Sequence, residues 1–118
     1  MSAYVQFVVE LDVTPGQADP FRALVADLVS ATEEEPGTLA YQWNLSADGM
    51  RYHVYERYVD AAAAVAHLGM FAQRFAGRFG ACVTPARFVV YGAADAALRQ
   101  TLAGFSPVYL ATVAGFHR

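Results

Sequence analysis

Of the three histidines in this 118-residue chain, His67 is the one placed to do chemistry. It lies one helical turn before Phe71, in a stretch where Phe71, Phe75 and Phe79 recur at the spacing of one helix face. A neutral imidazole beside such an apolar wall can take a proton from a phenolic or enolic ligand at neutral pH. The plainer alternative is a helix-end histidine hydrogen-bonded at a subunit edge. Glu56 is the second catalytic candidate, as an acid or as the group that orients His67. It sits in an aromatic run, on the face shared by Tyr52, Val54 and Tyr58. It also reads as a buried carboxylate paired with Arg57, Arg74 or Arg87, and the cost of burying an unpaired charge favours that reading.

The candidate ligand-binding residues are Tyr41, Trp43, Tyr52, Phe71, Phe75 and Arg74. Tyr41 and Trp43 share a face with Leu39 and Leu45 and suit a planar aromatic ligand, although core packing explains them as well. Arg74 and Arg78 lie four apart and suit either an acidic ligand or a solvated helix face. His53 and Tyr55 alternate with Glu56, so one set faces the pocket and the other a partner subunit. The three histidines have no metal-ligand spacing, and Cys82 has no cysteine partner. Neither a phosphate-cradling glycine loop nor a nucleophile elbow around Ser106 is present. No metal and no cofactor is expected.

The elements that must hold these residues follow from periodicity. Tyr4 to Val13 alternates as a strand, with Val5, Phe7, Val9, Leu11 and Val13 on one face. Asp19-Pro20 reads as a helix start, and Phe21, Leu24, Val25, Leu28 and Val29 form its buried stripe. Thr32 is polar and marks the end of that stripe. Glu33, Glu34 and Glu35 read as a solvated end before Pro36-Gly37 and carry no assigned role. Thr38 to Ser46 and Arg51 to Val59 are strands joined by an Asp48-Gly49 hairpin turn. Asp60 caps a second helix, with a break at Gly69 and renewed helix from Met70 to Phe79. Arg87 to Tyr91 is a fourth strand. Asp95 caps a short helix bearing Leu98 and Leu102, closed by Gly104 and Pro107, and Val108 to Val113 is a last strand.

This order gives two βαβ halves joined at a hairpin, the ferredoxin-like α+β fold with a four-stranded antiparallel sheet and helices on one face. One domain over residues 1–118 is expected, with a C-terminal extension from about residue 93. Hydrophobic residues make up 56% of the chain and charged ones 16%. That excess calls for a cavity or a subunit interface, because no apolar run approaches the ~20 residues of a spanning helix. A homodimer packed sheet face to sheet face accounts for it, with the final strand reaching across to the partner. Net charge is −3, and the eight basic residues, all arginine, are scattered, so neither a nucleic-acid nor a lipid partner is indicated. The opening MSAYVQF shows no leader pattern, and a single cysteine does not point to an oxidising compartment; the cytoplasm is the default.

Three stretches together carry a family resemblance. They are Glu35-Pro36-Gly37-Thr38-Leu39-Ala40-Tyr41, then His53-Val54-Tyr55-Glu56-Arg57-Tyr58-Val59-Asp60, then Ala62 through Ala66-His67-Leu68. In order and spacing they resemble the antibiotic biosynthesis monooxygenase family of dimeric α+β barrels, over Tyr4 to roughly Tyr91. The resemblance implies that fold and dimer, a turn role for Gly37, and a match of His67 to the family's helix histidine. For activity it implies a cofactor-independent oxidation of a small aromatic or polyketide-like phenol or quinol. The wider superfamily also offers an isomerase or cyclase using the same histidine, or a dimeric binding or accessory protein. The Asn, Trp and His set of haem-degrading members is absent: Trp43 is on the second strand, and the first strand has Gln6.

Overall fold

The computed structural model describes residues 3–118; Met1 and Ser2, with which the leader reading begins, lie outside the described residues. Strand β1 (Val5–Val13) runs into helix α1 (Ala18–Glu33). The hairpin β2 (Thr38–Leu45) and β3 (Arg51–Tyr58) follows, then helices α2 (Ala61–Arg74) and α3 (Ala76–Cys82). Strand β4 (Val83–Gly92), helix α4 (Ala96–Thr101), a 3-10 turn at Ala103–Phe105 and strand β5 (Val108–Leu110) complete the chain. The sheet order is β2-β3-β1-β4-β5. Its first four strands are antiparallel in the ferredoxin-like order.

The sheet has five strands rather than four. β5 pairs in parallel with β4 of the same chain, Val89 opposite Val108 and Tyr91 opposite Leu110. The crossover through α4 supplies the reversal that a parallel pair needs. Leu98 and Leu102, both fully buried, anchor that crossover to the core.

The inner sheet face is the one β1 presents through Val5, Phe7, Val9, Leu11 and Val13, all buried against Phe21, Leu24 and Leu28 of α1. On β3 the same face carries Tyr52, Val54, Glu56 and Tyr58, all buried. His53, Tyr55 and Arg57 therefore face outward. Alternation on β2 is interrupted by a bulge between Thr38 and Ala40. It throws Leu39 out to 47% exposure, while Tyr41 and Trp43 keep the inner face.

Four boundary expectations are corrected. Helix α1 starts at Ala18 with Gln17 as its cap residue and no side-chain cap, so Asp19 and Pro20 lie in the first turn. Its buried stripe extends to Thr32, 2% exposed, because β2 packs over the end of the helix. Gly69 does not interrupt α2, since a glycine tolerates a helix interior at modest cost; the break falls at Phe75, with φ −128°. β4 begins at Val83 and takes in Pro85, which lies opposite Leu11 beside a register shift. The caps of Asp60 on Ala63 N and Asp95 on Leu98 N stand as expected, each at 2.9 Å.

Candidate active site

Asp60 fixes where α2 begins, and from there the helix carries His67 to a position above the β2–β3 hairpin. Its side chain is 4% exposed and lies between two carboxylates. Nδ1 is 2.9 Å from Glu35 Oε1 and 3.2 Å from Oε2, and Nε2 is 3.4 Å from Glu56 Oε1. Tyr58 donates a short hydrogen bond to the same Glu56 oxygen. The rings of Tyr41 and Tyr58 flank the imidazole, with centroids 5.3 and 5.5 Å away. Thr38 Oγ1 donates to Glu35 Oε1 at 2.7 Å, so the outer carboxylate is itself held.

Glu35 overturns the reading of the α1 terminus as a wholly solvated end. Glu33 and Glu34 are exposed, but Glu35 turns inward. Gly37 makes the approach possible. Its φ is not left-handed, so the turn itself does not require glycine. A Cβ there would lie 2.6 Å from the Cβ of Ala63, one turn before His67 on α2. Gly37→Ala must push α2 away from the loop that carries Glu35. We expect a loss of roughly 1–3 kcal/mol, as for overpacking of a close contact, together with a weakened Glu35–His67 pair. Chemical denaturation checks the first; a wild-type midpoint in the variant contradicts it.

His67 and Glu56 line a cavity of about 70 Å³ between the inner sheet face and the helices. Its floor is Val9, Leu11, Val54, Pro85 and Phe88 of the sheet, and Tyr41 and Trp43 form the β2 wall. Leu68 and Phe71 of α2, Phe79 of α3 and Phe105 of the 3-10 turn complete it. The wall is therefore apolar except at the His67–Glu56 end. Trp43 Nε1 and Thr32 Oγ1 are buried without a hydrogen bond of normal geometry, and the Tyr41 hydroxyl lies among them.

Of the expected ligand-binding residues, Tyr41, Trp43 and Phe71 line the cavity. Tyr52, Phe75 and Arg74 do not. Tyr52 lies under Phe21 and Trp43, with ring centroids 5.0 and 5.8 Å away. The helix break at Phe75 ends the regular four-residue spacing, so Phe79 reaches the cavity while Phe75 does not. Arg74 stacks its guanidinium 5.1 Å over the Phe75 ring, away from the site. Glu56 is paired with none of the proposed arginines. Arg57 lies 4.3 Å over the Tyr4 ring on the outer face, and Arg87 lies 3.9 Å from Glu10.

Burial raises the Glu56 carboxyl above the usual carboxylate range, and the opposing pull of His67 does not cancel it. Burial, then the charge of Glu56, holds the Tyr58 and Tyr41 hydroxyls well above the usual phenol range. Between the ordinary and the raised value, the folded protein therefore binds more protons at Glu56 than the unfolded chain does. Stability must fall as pH rises from about 4.3, the ordinary value for glutamate, through the raised value. Glu56→Gln should flatten that slope. Denaturation midpoints measured from about pH 4.5 to about pH 8 test this; an unchanged slope in the variant contradicts it.

Among the described residues no group of three or more His, Cys, Asp or Glu is arranged to hold a metal ion, and no helix is long and apolar enough to cross a membrane.

Three solved structures share the architecture. MupZ from Pseudomonas fluorescens is 23% identical, with TM-score 0.87 over 100% of this chain and 91% of its own. Rv0793 from Mycobacterium tuberculosis is 26% identical, with TM-score 0.66 over 74% of this chain and 91% of its own. SnoaB, a cofactor-independent oxygenase from Streptomyces nogalater, is 19% identical, with TM-score 0.66 over 80% of this chain and 96% of its own. The MupZ likeness takes in the C-terminal extension. No curated protein matches the chain significantly. The family model of the antibiotic biosynthesis monooxygenases matches residues 5–75, more than half of the chain and a span that includes Glu35, Glu56 and His67. The chain belongs to the antibiotic biosynthesis monooxygenase family.

Proposed function

We propose that the protein is a cofactor-independent monooxygenase that oxidises a small aromatic or polyketide-like phenol or quinol with dioxygen. The observation that carries this reading is the buried imidazole of His67 at the polar end of an apolar, aromatic-walled cavity. His67 removes the acidic proton of the substrate, and the apolar wall keeps water from the resulting anion. The anion gives one electron to dioxygen, and the two radicals combine to a peroxide. Where the reacting carbon is a methylene beside the ring, protonation of the peroxide and loss of water leave a carbonyl. Both substrate hydrogens end in that water, and the four electrons lost by the carbon reduce dioxygen, so the step needs no external reductant.

A cavity of about 70 Å³ is smaller than the ~150 Å³ that admits a benzene ring. Phe105, half exposed on the C-terminal 3-10 turn, is the wall with room to move when substrate enters.

The raised Glu56 carboxyl favours a second reading. A carboxyl whose burial favours the protonated form, beside an imidazole, also suits an isomerase or cyclase that moves protons without oxidation. Oxygen uptake with quinols and anthrones separates the two. Consumption stoichiometric with product supports the monooxygenase; turnover without uptake supports proton transfer alone.

We infer a homodimer through the outer sheet face. There Tyr55, Val8 and Val108 lie in one row across the sheet with Val89, which is itself 3% exposed, and no helix covers the row. Leu110, Val113 and Phe116 add exposed apolar surface on the same C-terminal segment. A second copy is the occupant that suits this row, as family members are usually dimeric. Sedimentation as a monomer at micromolar concentration contradicts it.

A further inference from the structure

We propose that Glu35 is the positioning residue of this site, holding His67 through Nδ1 so that Nε2 is the basic atom offered to the substrate. The inference rests on the reading of His67 as the base. A carboxylate oxygen only accepts, so the pair of contacts from Glu35 at 2.9 and 3.2 Å makes Nδ1 the donor. With the Glu56 carboxyl protonated, the form its burial favours, the neutral ring keeps its lone pair on Nε2, 3.4 Å from Glu56 Oε1. Thr38, donating to Glu35 at 2.7 Å, fixes the carboxylate in turn. The arrangement has the logic of a base steadied by a carboxylate that does not itself react. As Nε2 takes the substrate proton, the Glu35 carboxylate lies against the new imidazolium charge at Nδ1.

The surroundings of His67 leave Glu35 as the negative charge acting at Nδ1. From β3 it faces Glu56 and Tyr58, and from β2 it faces Tyr41. The charged side chains of the helices packed on α2 are engaged elsewhere. Arg99 of α4 stacks 4.0 Å over Tyr109, and Arg78 of α3 pairs with Asp27 at 2.9 Å. Glu35 itself is 20% exposed, so its charge is accessible to solvent on one side while the histidine is not.

The test is the titration of His67 followed by nitrogen NMR of the ring in the full-length protein, which needs no substrate. In wild type the neutral ring should carry its proton on Nδ1. Glu35→Gln keeps the size and an acceptor but removes the charge, so His67 should titrate at lower pH, and Glu35→Asp should restore part of the difference. In turnover, Glu35→Gln should lower kcat by roughly a hundredfold with little change in KM, and move the acid limb of the pH profile downward. A His67 titration unchanged in Glu35→Gln, or a ring protonated on Nε2 in wild type, overturns the proposal. Should Glu35→Gln fail to fold, the wild-type tautomer alone decides, and a ring protonated on Nε2 overturns the proposal. Full turnover in His67→Ala would instead sink the reading of His67 as base, an outcome the NMR titration keeps separate.

Discussion

Replacing His67 with alanine should lower turnover of a phenolic substrate by about 10²- to 10⁴-fold, the usual contribution of a positioned general base. The expectation follows from placement. The imidazole is 4% exposed, touches the cavity, and is held through Nδ1 by Glu35. None of the other histidines can substitute for it. His53 faces outward beside Glu10 at 3.7 Å, and His117 lies near Tyr4 and Gln6 on the outer face. Truncation leaves Glu35 and Glu56 without their shared partner, so the circular dichroism spectrum of the variant must be compared with wild type. Unchanged turnover in a folded variant would exclude His67 as the base.

The largest loss of stability should come from Phe21→Ala, about 3–5 kcal/mol. Phe21 is fully buried on α1, and its ring meets those of Tyr52, Trp43 and Phe79 at 5.0, 5.7 and 5.9 Å. Two of those rings, Trp43 and Phe79, line the cavity, so the same side chain supports the core and the site wall. A domain this size has a total stability of only about 5–15 kcal/mol. The variant should therefore unfold at much lower denaturant, with Trp43 more exposed in its native emission. A loss below about 1 kcal/mol would mean the aromatic cluster collapses to fill the gap.

Much of this arrangement was legible in local pattern. The period-two apolar set of β1, the Asp60 cap and the Asp-Gly hairpin each depend on residues near one another in the chain, and they position His67 and Glu56. Glu35 was not legible for the opposite reason. Its partner lies 32 residues away, and the contact depends on how closely α2 can approach Gly37. Gly37 did carry a signal, read as a turn when it was a close approach. The bulge at Leu39 broke an alternation that looked regular, because an extra residue leaves no mark in a run of apolar side chains. Phe75 and Phe79 share one helical spacing, and only the backbone break between them decides which meets the cavity. The parallel pairing of β5 likewise rests on the packing of Leu98 and Leu102, which no periodicity in the strand itself announces.

The measurement that tests the central claim most directly uses Trp43, the chain's single tryptophan and part of the cavity wall. Its fluorescence should be quenched saturably by planar quinols or anthrones, and the affinity should fall in His67→Ala. Emission that does not respond to any such compound, at concentrations up to their solubility, would contradict the placing of an aromatic ligand beside His67.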